Sequence, residues 1–392
     1  MTTTEEPDPM LPSVVFIDHS SERGGAELAL ARLLRTKQAW RAALVVPPAS
    51  QTTPDAFLDL QGQTKVVRTG PAHAARATAG TGAAANAALA WRLVRSAASL
   101  VRNRTVREAD ALVANTTRAS VYVTLAGLLM RKPVIVHIRD LIEPDSIGPA
   151  ATRLLREFVL PRAAGVVANS RASLDAVKPY LRSGCITEII PSPAGLTVAD
   201  VDSVAVSPAV RRIGMVARID PWKGQELLVR AFARAFPGGD QRLILFGGAA
   251  FGHDRFPIEL RQLADELGVG GRLELAGHVS DVAGAIESLD VCVQCSLRPE
   301  PLGQNVLQYL AAGKAIVVAD EGGPVEWVSD GVNGVTFRAR NVDSLAAALR
   351  RLCGDATLRA NLARAAVATP GLLDDDEIGQ RVNSLIREVL ER

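Results

Sequence analysis

Between Ser296 and Asp330 the chain reads SLRPEPLGQNVLQYLAAGKAIVVADEGGPVEWVSD. A lone acid, Glu300, stands between Pro299 and Pro301 and is followed by Leu302 and Gly303. A helical pattern then starts near Gln304, with Val306, Leu307, Leu310 and Ala311 on one face, and Gly313 ends it at the C-cap position. An acid held beside a glycine at a helix N-terminus is a place for a sugar and a phosphate. The free N–H groups and the positive end of the helix dipole attract the anion, and the carboxylate accepts hydrogen bonds from sugar hydroxyls. A second group lies upstream, where Arg218 and Lys223 flank the turn Ile219-Asp220-Pro221-Trp222 ahead of Gly224. Two cations on one strand-to-helix turn can converge on a diphosphate, Arg as a planar fork and Lys as a point charge. The same spacing also fits a solvated basic turn. Two further features sit near the start of the chain. Gly24-Gly25 opens a helix after the apolar run Val14–Ile17, and His137 stands in PVIVHIRD, near the end of another such run. Paired glycines let backbone approach a ligand closely, or they simply start a helix. Arg139 and Asp140, next to the histidine, suit a local ion pair or the lining of a site.

These residues need elements to place them. Short apolar runs at Val14–Asp18, Ala42–Val46, Val66–Val67, Ala111–Ala114, Val134–His137, Val166–Ala168 and Ile189–Ile190 alternate with helical patterns, the signature of βαβ units and a parallel sheet. Pro191-Ser192-Pro193 and the polar stretch to Ala209 read as a linker. A second series then begins at Arg211–Val216 and continues through Leu243–Phe246, Leu273–Leu275, Val291–Val293 and Ala315–Val318. In open parallel sheets ligands collect at the carboxyl ends of the strands. His137, Gly24-Gly25, Arg218, Gly247-Gly248, His278-Val279 and Glu300 all follow or end strand-like runs. Residues 70–85, rich in Ala, Gly and Thr, read as a loop. Asn86–Arg107 reads as one basic amphipathic helix, suited to covering the sheet or to lying on a membrane. Asp374-Asp375-Asp376 opens the last helix, about Glu377–Glu391, where acids favour the dipole, and is not a metal-binding DxD motif.

A chain of 392 residues is long for one core, and two domains are the default. The net charge of +2 hides an asymmetry: residues 1–195 carry 23 Lys and Arg against 16 Asp and Glu, and residues 196–392 carry 21 against 26. The basic first half suits an anionic acceptor or membrane surface, or is only solvated surface. Residues 1–12 are acidic and Pro-rich, and read as a disordered tail without a signal-peptide core. The apolar run Val121–Met130 is shorter than the ~20 residues a membrane span requires. Cys292 and Cys295 lie in a strand-like run, where side chains three apart face opposite ways, so the CxxC spacing does not imply a metal or redox pair. A reduced, cytoplasmic protein is expected.

Taken together, the segment Gly214-x-x-x-Arg218-x-x-x-x-Lys223-Gly224 and the stretch Glu300 to Gly334 resemble the donor-site signature of the retaining glycosyltransferases of family 4. The resemblance is strong from Gly214 to Gly334 and weak before Gly24. It implies an α/β GT-B fold: two Rossmann-like domains facing each other across a cleft, with the C-terminal helix crossing back to the first. The expected acceptor domain covers 13–195 plus 376–392, and the expected donor domain covers 210–375. The resemblance implies transfer of a sugar from a nucleoside diphosphate sugar, of which a UDP-hexose or UDP-N-acetylhexosamine is the commonest, with retained anomeric configuration. Neither cofactor nor metal is implied, because Arg218, Lys223, the Gly25 loop and the helix start at Leu302-Gly303 are expected to neutralise the diphosphate. Glu300 and His137 would act at the donor sugar. Gly24, Pro301 and Gln304 would line the sugar and phosphate loop, Gln308 would meet the ribose, and Gly247, His278 and Val279 would border the base.

One position departs from the pattern: the signature has Glu at both ends of a nine-residue span, and here Glu300 is matched with Gln308. An amide offers one neutral acceptor oxygen where a carboxylate offers two charged ones, so weaker donor binding is expected. Gln308 is also the sole support for a rival reading, a sugar-nucleotide-binding pseudo-enzyme. A sugar-nucleotide epimerase of the same fold lacks its recognisable set of acids. A dinucleotide oxidoreductase lacks GxGxxG after either first strand. No nucleic-acid partner is expected. The acceptor (small molecule, glycan or lipid-linked), a peripheral membrane contact through 86–107, and the choice between monomer and homodimer stay open.

Overall fold

The computed structural model of the chain describes residues 11–49, 54–60, 64–71, 83–204, 206–249 and 253–392. Most of the expected N-terminal tail and of the Ala/Gly/Thr-rich loop falls outside this range. The chain divides into two compact units, residues 1–195 with 375–392, and residues 196–374.

The first unit is built on β1 (Ser13–Ile17), β2 (Arg41–Val46), β3 (Lys65–Arg68), β4 (Ala111–Ala114), β5 (Val134–Ile138), β6 (Gly165–Ala168) and β7 (Ile186–Ile189). All pairings are parallel, and the order is β3-β2-β1-β4-β5-β6-β7. Val14, Val15, Phe16 and Ile17 are each at most 1% exposed, because helices cover both faces of a parallel sheet and its strands read as unbroken apolar runs. The strand order reverses between β1 and β4. At that switch point the loops leave in opposite directions and open a crevice at the carboxyl ends, so Asp18-His19 and Asn115-Thr116 end there.

The last helix, Asp375–Leu390, packs on the helix Gly25–Arg35 and on β6 and β7. Its Asn383 donates to Lys37 O at 3.0 Å and accepts from Ala39 N at 3.3 Å. Close approach needs glycine at Gly379, where a Cβ would come within 2.4 Å of Thr36 Oγ1. The Asp run opens this helix, with Asp375, Asp376 and Glu377 in its first turn.

The segment read as one helix over 86–107 is two. The first runs Ala83–Arg102, and Asn103 then caps a short second helix, Arg104–Arg107, by accepting from Val106 N at 3.3 Å. Asparagine in an extended conformation caps better than it propagates, so the local rule overrides the amphipathic pattern. Ala97 and Leu100 are buried in the core, whereas Trp91 is 63% exposed among exposed Arg92, Val94 and Arg95. Among the described residues no helix is long and apolar enough to cross a membrane.

The second unit repeats the plan with β8 (Arg212–Val216), β9 (Arg242–Phe246), β10 (Leu273–Gly277), β11 (Val291–Gln294), β12 (Ala315–Ala319) and β13 (Val335–Phe337), in the parallel order β10-β9-β8-β11-β12-β13. Its switch point lies between β8 and β11. Cys292 and Cys295 belong to different core clusters, on opposite sides of the sheet, and neither forms a disulfide. Burial pushes the Cys292 thiol up to about 12.

The stretch 196–209, read as a linker, packs on this unit in its described part. Ala199 N donates to Ala311 O at 2.8 Å, and the buried guanidinium of Arg359 donates to Ser207 O and Pro208 O at 2.9 Å each. Proline and small residues there signalled irregular backbone but not its partner, which lies some 150 residues on.

Candidate functional site

In the second unit the turn after β8 and the loop after β11 meet at the switch point. Asp220, buried, caps the turn Pro221–Lys223 by accepting from Trp222 N at 3.3 Å. Gln225, fully buried, donates to Arg218 O at 2.7 Å and fixes the backbone beneath the exposed Arg218 side chain. Gly224 has φ 80°, and a Cβ there would lie 1.9 Å from Cys295 O, so only glycine lets the helix Gln225–Ala235 start this close to β11. Leu297 N donates to Trp222 O at 2.7 Å and ties the two loops together.

Within this frame Lys223 Nζ donates to Glu300 Oε1 at 2.5 Å, and Ser296 Oγ donates to the same oxygen at 2.6 Å. Glu300 is 7% exposed. Its ion pair with Lys223 is thus largely removed from water, where charge-assisted bonds are stronger than on a surface. Glycines at the next loop hold the Glu300 backbone. Gly323 N donates to Glu300 O at 2.7 Å, and a Cβ on Gly322 (φ 72°) would come within 2.7 Å of that carbonyl. The residues Leu302 and Gly303 follow directly. Leu302 is buried, and Gly303, at φ 76°, is the N-cap of the helix Gln304–Ala311 and offers no side chain to its amides. That helix is anchored to β8, where Tyr309 OH accepts from Val216 N at 2.8 Å and Asn305 Nδ2 reaches Val216 O at 3.4 Å. Gln304 and Gln308, four apart and both half-buried, share one helix face.

The ends of β9 and β10 complete this edge. Gly247 N donates to Gly277 O at 2.7 Å, and a Cβ on Gly247 would lie 1.9 Å from Ala217 O. His278 is exposed, with its Cβ 3.6 Å from where a Gly248 Cβ would be, and Val279 packs on the core. The carboxyl edge of this sheet therefore gathers Arg218, Lys223, Gly247, His278, Glu300 and the helix start after Gly303. The direct Lys223–Glu300 pair is a feature the sequence reading missed, since it had assigned the two residues to separate ligand groups. Ser296 and the Gly322-Gly323 brace gave no separate signal beyond lying in the same stretch.

In the first unit the switch point is lined by polar groups. Asp18, 1% exposed, accepts from His19 N at 2.6 Å and from Asn115 Nδ2, and His19 Nδ1 lies 3.0 Å from Asp18 Oδ1 and 2.9 Å from Thr116 Oγ1. Asn115 in turn accepts from Arg139 Nη2 at 2.9 Å through its side chain and from Arg139 Nε at 3.2 Å through its carbonyl. Arg139 also donates to Ser192 Oγ at 2.5 Å and to His137 Nδ1 at 3.1 Å. The ion pair between Arg139 and Asp140 suggested by their adjacency is replaced by this network, and Asp140 accepts from Thr117 Oγ1 at 2.7 Å instead. Both residues lie just past the end of β5, where the buried Arg139 side chain turns to Asn115, Ser192 and His137 and the Asp140 carboxylate turns to Thr117. Burial lowers the Arg139 guanidinium to about 10, which still leaves it protonated at neutral pH.

His137 lies on β5, 4% exposed, and burial followed by the Arg139 charge holds its imidazole well below the usual histidine range. It is therefore neutral. Because Nδ1 accepts from Arg139, the proton sits on Nε2, which is buried and has no hydrogen-bond partner among the described residues. A buried donor left unsatisfied is costly, which marks this N–H as one a ligand can satisfy. Gly24, extended, is the N-cap of the helix Gly25–Arg35, and Glu27 stands in its first turn, 7% exposed. Burial, and then the Asp18 charge, raise the Glu27 carboxyl to about 7. The sequence reading did not single out Glu27, because an acid in a first helical turn is ordinary dipole complementation. Asp18, His19 and Glu27 bring oxygen and nitrogen atoms within 4.8 Å of one another. Asp18 Oδ1 already accepts from His19 and Oδ2 from Asn115, so the group fits a hydrogen-bonded network better than a cation cage.

Residues 205–368 match the family described as glycosyl transferases group 1. Over 165 residues the chain is 34% identical to the lipopolysaccharide core biosynthesis glycosyltransferase LpsE of Rhizobium meliloti (strain 1021), covering 42% of this chain and 45% of that protein. It is 32% identical over 161 residues to a D-inositol 3-phosphate glycosyltransferase of Mycobacterium ulcerans (strain Agy99), covering 41% of this chain and 33% of that one. The chain thus matches less than half the length of these two curated relatives. Among solved structures, Anabaena Alr3699/HepE in complex with UDP superposes with a TM-score of 0.77 at 25% identity, covering 96% of this chain and 100% of the other. The same protein with UDP-glucose gives 0.76 at 25% identity, over 96% and 99%. The lipopolysaccharide outer core galactosyltransferase WaaB superposes at 0.71 with 15% identity, over 96% and 99%, a likeness of fold alone. The two Rossmann-like α/β units are those of the GT-B fold.

Proposed function

We propose that the chain is a retaining glycosyltransferase of family 4, which transfers a hexosyl or N-acetylhexosaminyl group from a UDP-sugar to a hydroxyl of an acceptor. The observation that carries this reading is the Lys223–Glu300–Ser296 group at the second unit's switch point, with Glu300 and Ser296 buried, beside a glycine-started helix. UDP and UDP-glucose in the Anabaena neighbour support the choice of donor.

In this reading Arg218 and Lys223 bind the diphosphate, with the amides after Gly303 adding the helix dipole. These groups are fixed before the reaction and stabilise the negative charge that grows on the leaving phosphate, without reorganising. Glu300 keeps Oε1 on Lys223 and Ser296 and presents Oε2 to donor-sugar hydroxyls. The Gly247 and His278 backbones border the base, and Gln308 meets the ribose. In the first unit the His137 Nε2–H donates to a sugar oxygen, and the loop His19–Gly25 serves the acceptor. A double displacement on the retaining-glycosidase plan needs two close carboxylates at the sugar, and Glu300 provides one. Front-face transfer fits better. The bond from the anomeric carbon to the phosphate oxygen breaks, the acceptor oxygen bonds the same face, and its proton passes to the departing phosphate.

The test is a thermal-shift screen of UDP, ADP, GDP and dTDP. A ligand that binds only the folded state raises its stability, by about 2.7 kcal/mol at a hundred times Kd. A shift with UDP that is clearly smaller in Lys223→Ala is the expected result, and no shift with any of the four would sink the reading.

A further inference from the structure

Lys223 has a second neighbour. Its Nζ lies 4.0 Å from the centre of the Trp222 ring, on the side chain immediately before it, while the same nitrogen bonds Glu300 Oε1 at 2.5 Å. A cation over an indole face is attracted by the ring quadrupole, most strongly where water is partly excluded, and the Lys223 side chain is only 16% exposed. The Trp222 backbone has little freedom. Its N–H is capped by Asp220, its carbonyl accepts from Leu297 N, and the turn closes on Gly224 against Cys295. Ring and carboxylate thus hold one ammonium in place on a turn that is itself fixed.

We propose that Trp222 is a positioning residue for Lys223, which sets the ammonium in advance for a nucleoside diphosphate and so raises affinity without touching the ligand. The proposal rests on the functional reading above. Without the ring, Lys223 keeps its bond to Glu300 but samples other rotamers, and binding must then order a four-carbon side chain. Phenylalanine retains an aromatic face, whereas leucine and methionine retain bulk without one.

The experiment is calorimetric titration of the full chain with UDP, for wild type, Trp222→Phe, Trp222→Leu, Trp222→Met, Lys223→Ala and the double variant Trp222→Leu/Lys223→Ala. Binding about ten-fold weaker is expected for Leu and Met and less than about three-fold weaker for Phe. In the Lys223→Ala background, adding Trp222→Leu changes affinity less than about two-fold, because the partner it positions is gone. Met serves if Leu does not fold, and unchanged melting of the tested variants separates positioning from general damage. Wild-type affinity in both Leu and Met overturns the proposal, as does a loss that persists undiminished without Lys223. If wild type binds none of UDP, ADP, GDP and dTDP, the functional reading itself fails and the proposal with it.

Discussion

Replacing Glu27 by glutamine is expected to stabilise the protein, by an amount that grows as pH rises from about 4.5 to about 7 and is full above it. The carboxyl is raised from 4.5 to about 7 by burial and by the charge of Asp18. Between those two values the folded state binds a proton that the unfolded state has released, so stability falls as pH rises through that window. Below about pH 4.5 both states are protonated and no penalty exists. Above about pH 7 the full penalty applies, and at 1.36 kcal/mol per pKa unit it comes to about 3 kcal/mol. Glutamine keeps the shape and cannot ionise, so at pH 8 it removes the penalty, and at pH 5 it removes little. For a unit of this size 1 kcal/mol shifts melting by about 2–4 °C. The variant should therefore melt on the order of 6–12 °C above wild type at pH 8 and only about 2–3 °C above it at pH 5. The assay is calorimetry at both pH values, following the transition that contains the first unit, since two units need not unfold together. An equal effect at both pH values, or a destabilised variant at pH 8, would refute the argument that Glu27 carries a costly buried charge.

Three further outcomes follow from the second unit. Glu300→Gln keeps an oxygen for Lys223 and Ser296 but loses the charge; UDP release from a UDP-sugar should slow about a hundred-fold while donor affinity changes less than about three-fold, and equal losses in both would show that Glu300 only binds. Gln308→Glu converts neutral hydrogen bonds into charge-assisted ones, worth about 1 kcal/mol more, so calorimetry should find the UDP-sugar bound about five-fold tighter; unchanged or weaker binding would remove the residue from the ribose. Gly224→Ala places a Cβ 1.9 Å from Cys295 O at φ 80°, and urea unfolding should show a loss of about 2–4 kcal/mol; a loss under about 0.5 kcal/mol would mean that the turn relaxes freely.

What was legible in the sequence is local, and what was not is tertiary. The apolar runs at Val14–Ile17 and Val291–Val293 form strands because a sheet buried on both faces needs unbroken apolar segments. Gly303 starts a helix and Gly313 follows its end, as glycine's conformational freedom predicts. Arg218 and Lys223 flank the turn after β8 as read, but the partner of Lys223 is 77 residues away, at a distance no periodicity encodes. The switch points explain why such partners meet: β8 pairs with β11 and β1 with β4, and strand order is not written in any one segment. Arg139 illustrates the converse. Its neighbour Asp140 looks like its partner, yet Asn115, Ser192 and His137 take its donors. Glu27 escaped notice because its unusual property, a carboxyl shielded from water beside Asp18, exists only once the helix is docked.

The account rests most heavily on transfer with retention, and the direct measurement is the configuration of the first product formed from an α-linked UDP-sugar. With UDP-glucose and water or an alcohol as acceptor, proton NMR during the first turnovers resolves the anomeric signal before mutarotation scrambles it. The account predicts an α-configured product appearing in step with UDP, both abolished in Lys223→Ala. A β-configured product, or no UDP released from any UDP-hexose or UDP-N-acetylhexosamine with any acceptor hydroxyl offered, would contradict it.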